Sequence, residues 1–436
     1  MLNAKIVPTN EGLSRRAHQS CGQPISRLMR AALARPELIS LAAGFVDQQT
    51  LPVEAVQQAA EAVLGDARAA RAALQYGTNA GHPALREALL QRFLEADGQP
   101  ESERDLSLDR VVLTAGSNQL LHLVCETILD PGDMVLCASP TYFVFLGTLK
   151  GLGLRAVGVA TDEEGIIPEA LDEALERHAA AGELHRIKAI YVTTYFDNPS
   201  NITLAPSRRQ AVVDIARRWS RRERPIYVIE DTAYRELRYE GPDTPSLRSF
   251  DPEGKTVIVA QTFSKSFSPG IRIGWGILPE SLIAPLCDQK GNIDFGSPNF
   301  NQHLMFNVLQ QGLYEPHVRR LRDSYRIKLR AMLDAAEQHL SPLPGAQWLE
   351  PQGGLYVWLR VPETIDTGPG GCLLERAMDE GVLYVPGEYC YPGEGLPVPK
   401  NMIRLSFGVQ TPEGISQGIE ALGRAIRRTM ADPRSS

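Results

Sequence analysis

The sequence predicts an α/β fold in which a mostly parallel sheet has helices on both faces, followed by a smaller α+β region. From about residue 55 to residue 300, short apolar segments alternate with segments of helical spacing, a rhythm typical of parallel sheets covered on both sides. After about residue 310 the alternation stops, and a long charged helix leads into further strands and a closing helix. The change of pattern predicts a large domain and a small one.

Each element of the larger region has its own local pattern. Strands are predicted from short apolar runs, and helices from apolar residues three and four positions apart. The predicted strands are 110–113, 134–137, 155–160, 188–192, 226–229 and 257–260. The predicted helices are 83–94, 119–129, 141–149 and 208–219.

The smaller region is predicted to contain a helix over 318–340, strands over 355–359 and 402–407, and a helix over 412–430. A chain of 436 residues is long enough for two or three domains. The predicted units are an N-terminal segment 1–54 that joins the small domain, a large domain 55–310 and a small domain 311–436.

Composition narrows the class of protein. A formal net charge of −7, spread along the chain, argues against nucleic acid or an anionic membrane as partner. The six cysteines have no CxxC spacing, which favours reduced thiols and a cytoplasmic location over disulfides or a zinc site. No secretory signal or membrane span is predicted, and the eight histidines suggest no metal site.

One segment suggests a specific chemistry. It runs from Thr262 to Arg272 and places Lys265 just after the predicted strand 257–260. A lysine amine can form a Schiff base, and nearby hydroxyls and an arginine can bind a phosphate, which is the set that pyridoxal 5′-phosphate needs. The alternative is a solvated surface lysine, the commonest environment for this residue.

The predicted strand 110–113 also ends in polar residues. Gly116, Ser117 and Asn118 follow it and open a helix, whose free N–H groups and positive end can bind a phosphate. An ordinary helix cap at Ser117 explains the same residues equally well.

Two further strands end in groups that would suit the ring of the same cofactor. Asn198 follows strand 188–192 and could bind the ring oxygen, although Asn-Pro also predicts a simple turn. Asp231 ends strand 226–229, where a buried acid needs a partner such as a protonated pyridine nitrogen or an arginine. Tyr234, three residues later, could reach the ring oxygen beside Asn198. Ligands of open α/β sheets bind at the edge formed by the carboxyl ends of the strands, so we expect all these groups to meet there.

The order and spacing of these groups resemble the class I/II aminotransferases of fold type I, which depend on pyridoxal phosphate. The resemblance is carried by Thr262-x-Ser264-Lys265-x-x-x-Pro269-Gly270-x-Arg272, covers nearly the whole chain, and is strongest to the aminoadipate, kynurenine and aromatic aminotransferases. It implies an enzyme that moves an amino group from an L-α-amino acid to a 2-oxo acid, and a homodimer with its active site at the interface. Two residues depart from the family pattern: Asn201, where the family usually has glycine, and Asn118, where glycine or glutamine is frequent. Asparagine tolerates a positive φ, so the turn at Asn201 can be kept.

The resemblance also implies roles by position. Lys265 would hold the cofactor and move the proton, Asp231 would pair with the ring nitrogen, and Tyr142 would stack on the ring. Arg404 would bind the substrate carboxylate as a bidentate fork. Alternatively, Arg404 is a surface arginine on an edge strand and Tyr142 is a core tyrosine. The other implied contacts are Gly116, Ser117, Asn118, Thr262, Ser264 and Arg272 for the phosphate, Tyr76 from the other subunit, Asn198 and Tyr234 for the ring oxygen, and Gly44 and Asn198 for the substrate.

Two other functions remain open from the sequence. The same cofactor and scaffold also support a lyase or a cyclopropane-carboxylate synthase, because the reaction depends on which Cα bond is held perpendicular to the ring. A non-catalytic ligand-binding regulatory module is the second alternative. The chain contains no basic helix-turn-helix, which argues against it.

Overall fold

The computed structural model describes residues 12–20, 22, 28, 30, 34–99 and 107–432, so Cys21 and much of the predicted N-terminal segment lie outside the described residues. The α-helices there are Arg15–Ser20, Val53–Leu64, Ala67–Ala73, Pro83–Ala96, Ser117–Ile128, Phe143–Gly151, Pro168–Ala180, Pro206–Ser220, Glu280–Asp294, Asn299–Gln310, Tyr314–His339, Leu373–Asp379 and Pro412–Met430. The strands are β1 (Ile39–Ser40), β2 (Val111–Thr114), β3 (Met134–Ser139), β4 (Arg155–Asp162), β5 (Gly165–Ile166), β6 (Ile187–Thr193), β7 (Tyr227–Asp231), β8 (Val257–Thr262), β9 (Gly274–Ile277), β10 (Gln347–Trp348), β11 (Tyr356–Arg360), β12 (Val382–Leu383), β13 (Val385–Pro386) and β14 (Met402–Ser406).

The main sheet has eight strands in the order β2-β9-β8-β7-β6-β3-β4-β5. Strands β4, β3, β6, β7 and β8 are parallel to one another. Strand β9 is antiparallel to both β8 and β2, and β5 is antiparallel to β4. Strand β2 therefore runs in the same direction as β8, and the carboxyl ends of β2, β6, β7 and β8 share one edge.

Both faces of this sheet are buried, as near-continuous apolar strands predict. Along β8, Val257 and Val259 pack in one hydrophobic cluster, while Ile258 and Ala260 pack in a second on the opposite face. The alternation follows from the pleat, which turns successive side chains to opposite faces. With helices on both sides, the edge of the sheet is where ligands have access.

A second sheet of four strands, β10-β11-β14-β13, is antiparallel throughout. The N-terminal strand β1 pairs in parallel with β12, which lies late in the chain. Leu41 and Ala42 pack in the same hydrophobic cluster as Ile403 and Leu405 of β14. The segment around residue 40 is therefore held against C-terminal elements.

The predicted α/β fold with a mostly parallel sheet is confirmed, and the predicted strands lie within three residues of those observed. Strand β9 was not predicted, since two glycines in Gly274-Trp275-Gly276-Ile277 weaken the apolar pattern of a strand. The two-residue strands β1 and β12 are too short for any periodicity. Among the described residues, no helix is both long and apolar enough to cross a membrane.

Candidate active site

A pocket of about 270 Å³ lies at the shared edge of β2, β6, β7 and β8 and is closed on another side by the four-stranded sheet. Its walls come from distant parts of the chain, including Gly44, Tyr142, Lys265 and Arg404. Because parallel strands deliver their carboxyl ends to one edge, residues far apart in sequence meet there.

Lys265 follows the end of β8 and is partly buried. Its Nζ donates a hydrogen bond of 2.6 Å to the carbonyl oxygen of Gly44. Burial lowers the pKa of the Lys265 ammonium; the Tyr356 hydroxyl opposes this, while the charges of Arg404 and Arg272 lower it further. A lysine with a lowered pKa has a larger neutral fraction, which is the form that attacks a carbonyl carbon.

Asp231 is the last residue of β7 and is only 5% exposed. Its carboxylate accepts hydrogen bonds from the Tyr191 hydroxyl at 2.9 Å and the backbone N–H of Ala233 at 3.1 Å. Burial raises the pKa of this carboxyl, and these two donors oppose the rise. Among the described residues no cationic nitrogen lies within ion-pair distance of it, so the pocket holds a buried acid that lacks a charged partner.

The helix Ser117–Ile128 begins at the pocket, and Gly116 precedes it with a φ of 87°. A Cβ at Gly116 would lie 2.6 Å from Nη2 of Arg272, and one at Gly274 would overlap the backbone of Gly116. Arg272 donates to the carbonyl oxygen of Ala115 at 2.8 Å. The two glycines thus allow the arginine and the helix N-terminus to approach one point, a geometry suited to a phosphate.

Thr262 and Ser264 add hydroxyls to the same region of the pocket. Their Oγ atoms lie 2.9 Å apart, and the backbone N–H of Ser264 donates to Thr262 Oγ1 at 3.1 Å. Both residues line the pocket together with Ser117, Asn118 and Arg272. The predicted phosphate ligands therefore lie around one pocket.

Asn198 joins the two sheets at the pocket. Its Oδ1 accepts a hydrogen bond of 2.8 Å from Arg404, and its Nδ2 lies 3.4 Å from the hydroxyls of both Tyr234 and Tyr356. The two tyrosine hydroxyls are 3.1 Å apart. Asn201, one of the two departures from the family pattern, has a φ of 61° and donates to the carbonyl oxygen of Tyr356, so the asparagine both adopts the left-handed turn and fastens it.

Arg404, on β14, is 2% exposed and does not lie on the surface. It donates to Asn198 and, at 2.8 Å, to the carbonyl oxygen of Ala42, and its Cζ lies 4.4 Å from the centre of the Tyr356 ring. Its Nε is buried without a hydrogen-bond partner. No carboxylate of the described residues lies within ion-pair distance, so this buried cation is available for an anion.

Most of the predicted site residues line this one pocket: Gly44, Ser117, Asn118, Tyr142, Asn198, Asp231, Tyr234, Thr262, Ser264, Lys265, Arg272 and Arg404. Gly116 lies beside it, against Arg272. Tyr76 does not: its side chain is 76% exposed and packs on Phe295 with ring centres 5.3 Å apart. Its contact with a second subunit stays a prediction.

Sequence reasoning missed Tyr356, Thr193 and Phe143, which also line the pocket. Tyr356 is the most connected of these, since it contacts Asn198, Tyr234 and Arg404, and a Cβ on Gly44 would lie 2.6 Å from its hydroxyl. In the sequence, Tyr356 is only a tyrosine in an apolar strand, which a position in the core explains equally well. Only the pairing of β11 with β14 turns it toward the site.

Comparison with known proteins identifies the family. Residues 36–422 match the family described as aminotransferase class I and II. The chain belongs to this aminotransferase family. It is 33% identical to aromatic-amino-acid aminotransferase 1 of Thermococcus litoralis, over 90% of this chain and 89% of that one. It is 31% identical to the 2-aminoadipate transaminase of Thermus thermophilus, over 91% and 92%.

Solved structures agree. The aminotransferase superimposes on the kynurenine aminotransferase of Pyrococcus horikoshii with a TM-score of 0.87 and 30% identity, over 98% of this chain and 99% of that one. The predicted family, fold type and activity are confirmed: the protein is a pyridoxal phosphate-dependent aminotransferase. The pocket fits this cofactor, because it has a buried acid without a cationic partner among the described residues, a partly buried lysine with a lowered pKa, and a glycine-lined approach to a helix N-terminus.

Proposed function

We propose that this aminotransferase acts on an L-α-amino acid with an uncharged, aromatic or large apolar side chain. The observation that carries the proposal is the single cation left for the substrate. The cations lining the pocket are Lys265, Arg272 and Arg404. With Lys265 and Arg272 assigned to the cofactor, Arg404 remains for the α-carboxylate, and among the described residues that line the pocket no cation remains for an acidic side chain.

The apolar lining supports the same substrate class. Phe45, Phe143 and Val144 line the pocket beside Arg404, and the ring of Phe143 lies 5.1 Å from the Arg404 guanidinium carbon. Two of the relatives are named for aromatic amino acids and kynurenine. An aromatic side chain would bury its apolar area against these walls.

The roles of the residues follow from their positions. Bound pyridoxal phosphate supplies an electron sink for the bonding electrons of the substrate Cα–H bond. In this proposal Arg404 holds the α-carboxylate, Asp231 holds positive charge at the ring nitrogen, and Tyr142 packs on the ring. Lys265 holds the cofactor, then removes the proton from Cα and delivers it to C4′. Ser117, Asn118, Thr262, Ser264 and Arg272 bind the phosphate, and Asn198 and Tyr234 the ring oxygen.

A homodimer is also part of the proposal. Exposed apolar side chains accompany Tyr76: Phe295 is 64% exposed, Leu74 70% and Ile293 55%. An exposed apolar patch of this kind suits a second copy of the chain. Tyr76 of one copy would then reach the cofactor phosphate bound in the other copy. Sedimentation equilibrium tests the dimer, and the Tyr76→Phe variant, with weaker cofactor retention, tests the contact.

The predicted domain boundaries and the cytoplasmic location are proposed on separate grounds. Pairing of β1 with β12 supports an N-terminal segment that belongs with the small domain. Buried thiols support a reducing compartment, since Cys125, Cys137 and Cys390 are not in disulfides. Limited proteolysis and cell fractionation test these two points.

An amino-donor panel tests the substrate class. The half-reaction is followed by the shift of the visible cofactor band after mixing with L-phenylalanine or L-aspartate. We expect phenylalanine to react at least about tenfold faster at equal subsaturating concentration, because aspartate would bury an unpaired carboxylate. A faster reaction with aspartate would overturn the assignment of an uncharged side chain.

A further inference from the structure

A second cavity, larger than the active-site pocket, lies between the two sheets. Its volume is about 860 Å³, within the range of small-molecule sites. It is lined by the ends of β3 and β4, by β10 and β11, and by the segment around residues 396–399. We refer to it as the tryptophan cavity, because Trp348 and Trp358, two of the four tryptophans in the chain, form part of its wall.

The walls are suited to an aromatic ring. Trp358 and Tyr391 pack with ring centres 6.3 Å apart and planes tilted by 42°. Both rings remain partly exposed toward the cavity, and Pro397 and Pro399 continue the apolar surface. Aromatic and proline surfaces of this kind bind planar rings in offset or edge-on arrangements.

The rim carries one charge of each sign with no ion pair. Arg360 and Glu163 both line the cavity, both are exposed, and neither forms an ion pair with any described residue. Their neighbour Asp162 differs, because it is paired with Arg208 at 2.6 Å. Free guanidinium and carboxylate groups on one rim are complementary to a ligand that carries a carboxylate and an ammonium.

The tryptophan cavity and the active-site pocket share one face of the four-stranded sheet. Trp358 lies opposite Arg404 in the β11–β14 pairing, and Arg360 lies opposite Met402. Residues opposite each other on antiparallel strands point to the same face, as do residues two apart along a strand. Tyr356 and Arg404 therefore face the pocket, while Trp358, Arg360 and Met402 continue the same surface into the cavity.

From these observations we propose that the tryptophan cavity is a second binding site, and that it takes a free aromatic α-amino acid as a zwitterion. The ring lies against Trp358 and Tyr391, the carboxylate binds Arg360, and the ammonium binds Glu163. The proposed contacts Trp358 and Arg360 lie on β11, which pairs with β14, the strand that carries Arg404. The site is separate from the catalytic one and does not depend on which amino acid is the substrate.

Calorimetric titration with L-phenylalanine tests the proposal. The protein carries Arg404→Ala, which removes the proposed carboxylate contact of the pocket, and its cofactor is fixed by borohydride so that turnover cannot contribute heat. We expect saturable one-site binding that becomes about tenfold weaker or more in the added Arg360→Ala variant, since one charge-assisted contact is lost. Added Arg330→Ala, an exposed arginine that does not line the cavity, should leave binding unchanged.

Two further arms define the ligand. Phenylacetate and phenethylamine each lack one charge and should bind about tenfold more weakly than phenylalanine. Glu163→Gln should weaken phenylalanine and leave phenylacetate unchanged. No binding heat, or binding that is equally strong with Arg360→Ala and Arg330→Ala, overturns the proposal. Because no turnover is measured, these results are independent of the donor panel.

Discussion

Buried charges are arranged in two different ways in this molecule. In the region around Arg235, the guanidinium is 5% exposed and forms an ion pair of 2.7 Å with Asp97, which also accepts from Ser246 and Ser249. In the active-site pocket, Arg404 is 2% exposed and Asp231 5%, yet neither forms an ion pair with a described residue. Charge is equally buried in both regions and is neutralised by the protein in only one.

The difference separates charges that serve the fold from charges kept for ligands. An unpaired buried charge costs free energy, and a protein retains it only where something else compensates. In the pocket the compensating groups are those of the cofactor and the substrate. The comparison predicts that substitutions in the pocket reduce activity, whereas substitutions around Arg235 reduce stability.

The largest effect is expected at Lys265. Replacing it by alanine removes the covalent attachment and the group that moves the proton, so kcat should fall by at least about 10⁴-fold. Stopped-flow and steady-state rates measure the loss. Lys255→Ala, an exposed lysine paired with Glu253, is the control and should retain full activity. A Lys265→Ala protein with more than a few per cent of activity would remove this residue from its role.

The next largest effect is expected from removing the buried ion pair between Arg235 and Asp97. Asp97→Ala leaves the buried Arg235 with only the part-exposed carboxylate of Asp243 as a charged partner and should lower the free energy of unfolding by about 3 kcal/mol. In the apoprotein, Asp231→Ala removes an unpaired buried carboxylate but also the acceptor of the Tyr191 hydroxyl, so it should destabilise much less than Asp97→Ala, while the rate of the cofactor-loaded enzyme falls. Denaturant titration of both apoproteins measures this. Equal losses would mean that the two regions do not differ as described.

Arg404→Ala should have a smaller effect, confined to the substrate. Loss of a charge-assisted carboxylate contact is worth about 1.5 to 3 kcal/mol, seen as weaker binding of the amino acid. The stability of the apoprotein should be unchanged or higher, since a buried unpaired cation has been removed. Half-reaction saturation curves and melting temperatures give both values. Unchanged substrate affinity would contradict the assignment of Arg404.

The smallest effect concerns Asp197, next to Asn198. Burial raises the pKa of this carboxyl to about 6, opposed by the hydrogen bonds from Ser200. Its Oδ1 and the nearby Thr193 Oγ1 both lack partners among the described residues. A folded-state pKa above the unfolded value means that the charged form costs stability: nothing below about pH 4, and an increasing amount until about pH 6.

Asp197→Asn should therefore stabilise the protein at pH 7 by about 1 kcal/mol, because it avoids the charge while giving up some hydrogen-bond strength to Ser200. At pH 4 the gain should vanish. Melting temperatures of the variant and the parent protein at the two pH values test this. A gain of the same size at pH 4 would show that the titration of Asp197 is not its cause.

The contrast between the active-site pocket and the region around Arg235 also shows what the sequence could predict. Lys265, Asp231 and Asn198 follow predicted strands directly, so a parallel sheet alone brings them to one edge. The Arg235–Asp97 pair joins residues 138 positions apart, and no local pattern indicates it. Tyr356 and the tryptophan cavity depend on strand register between β11 and β14, which requires the packed structure. Residues that follow a strand could be placed from the sequence, whereas contacts that depend on how strands pair could not.

The most direct test is covalent. The purified protein is saturated with pyridoxal phosphate, reduced with borohydride and digested. The masses of the peptides are then measured by mass spectrometry. The mass of one reduced cofactor should be found on Lys265, with loss of the visible band, while Lys290, a buried lysine paired with Asp294, should remain unmodified. Label on another lysine, or none, would contradict the central claim that this pocket holds the cofactor on Lys265.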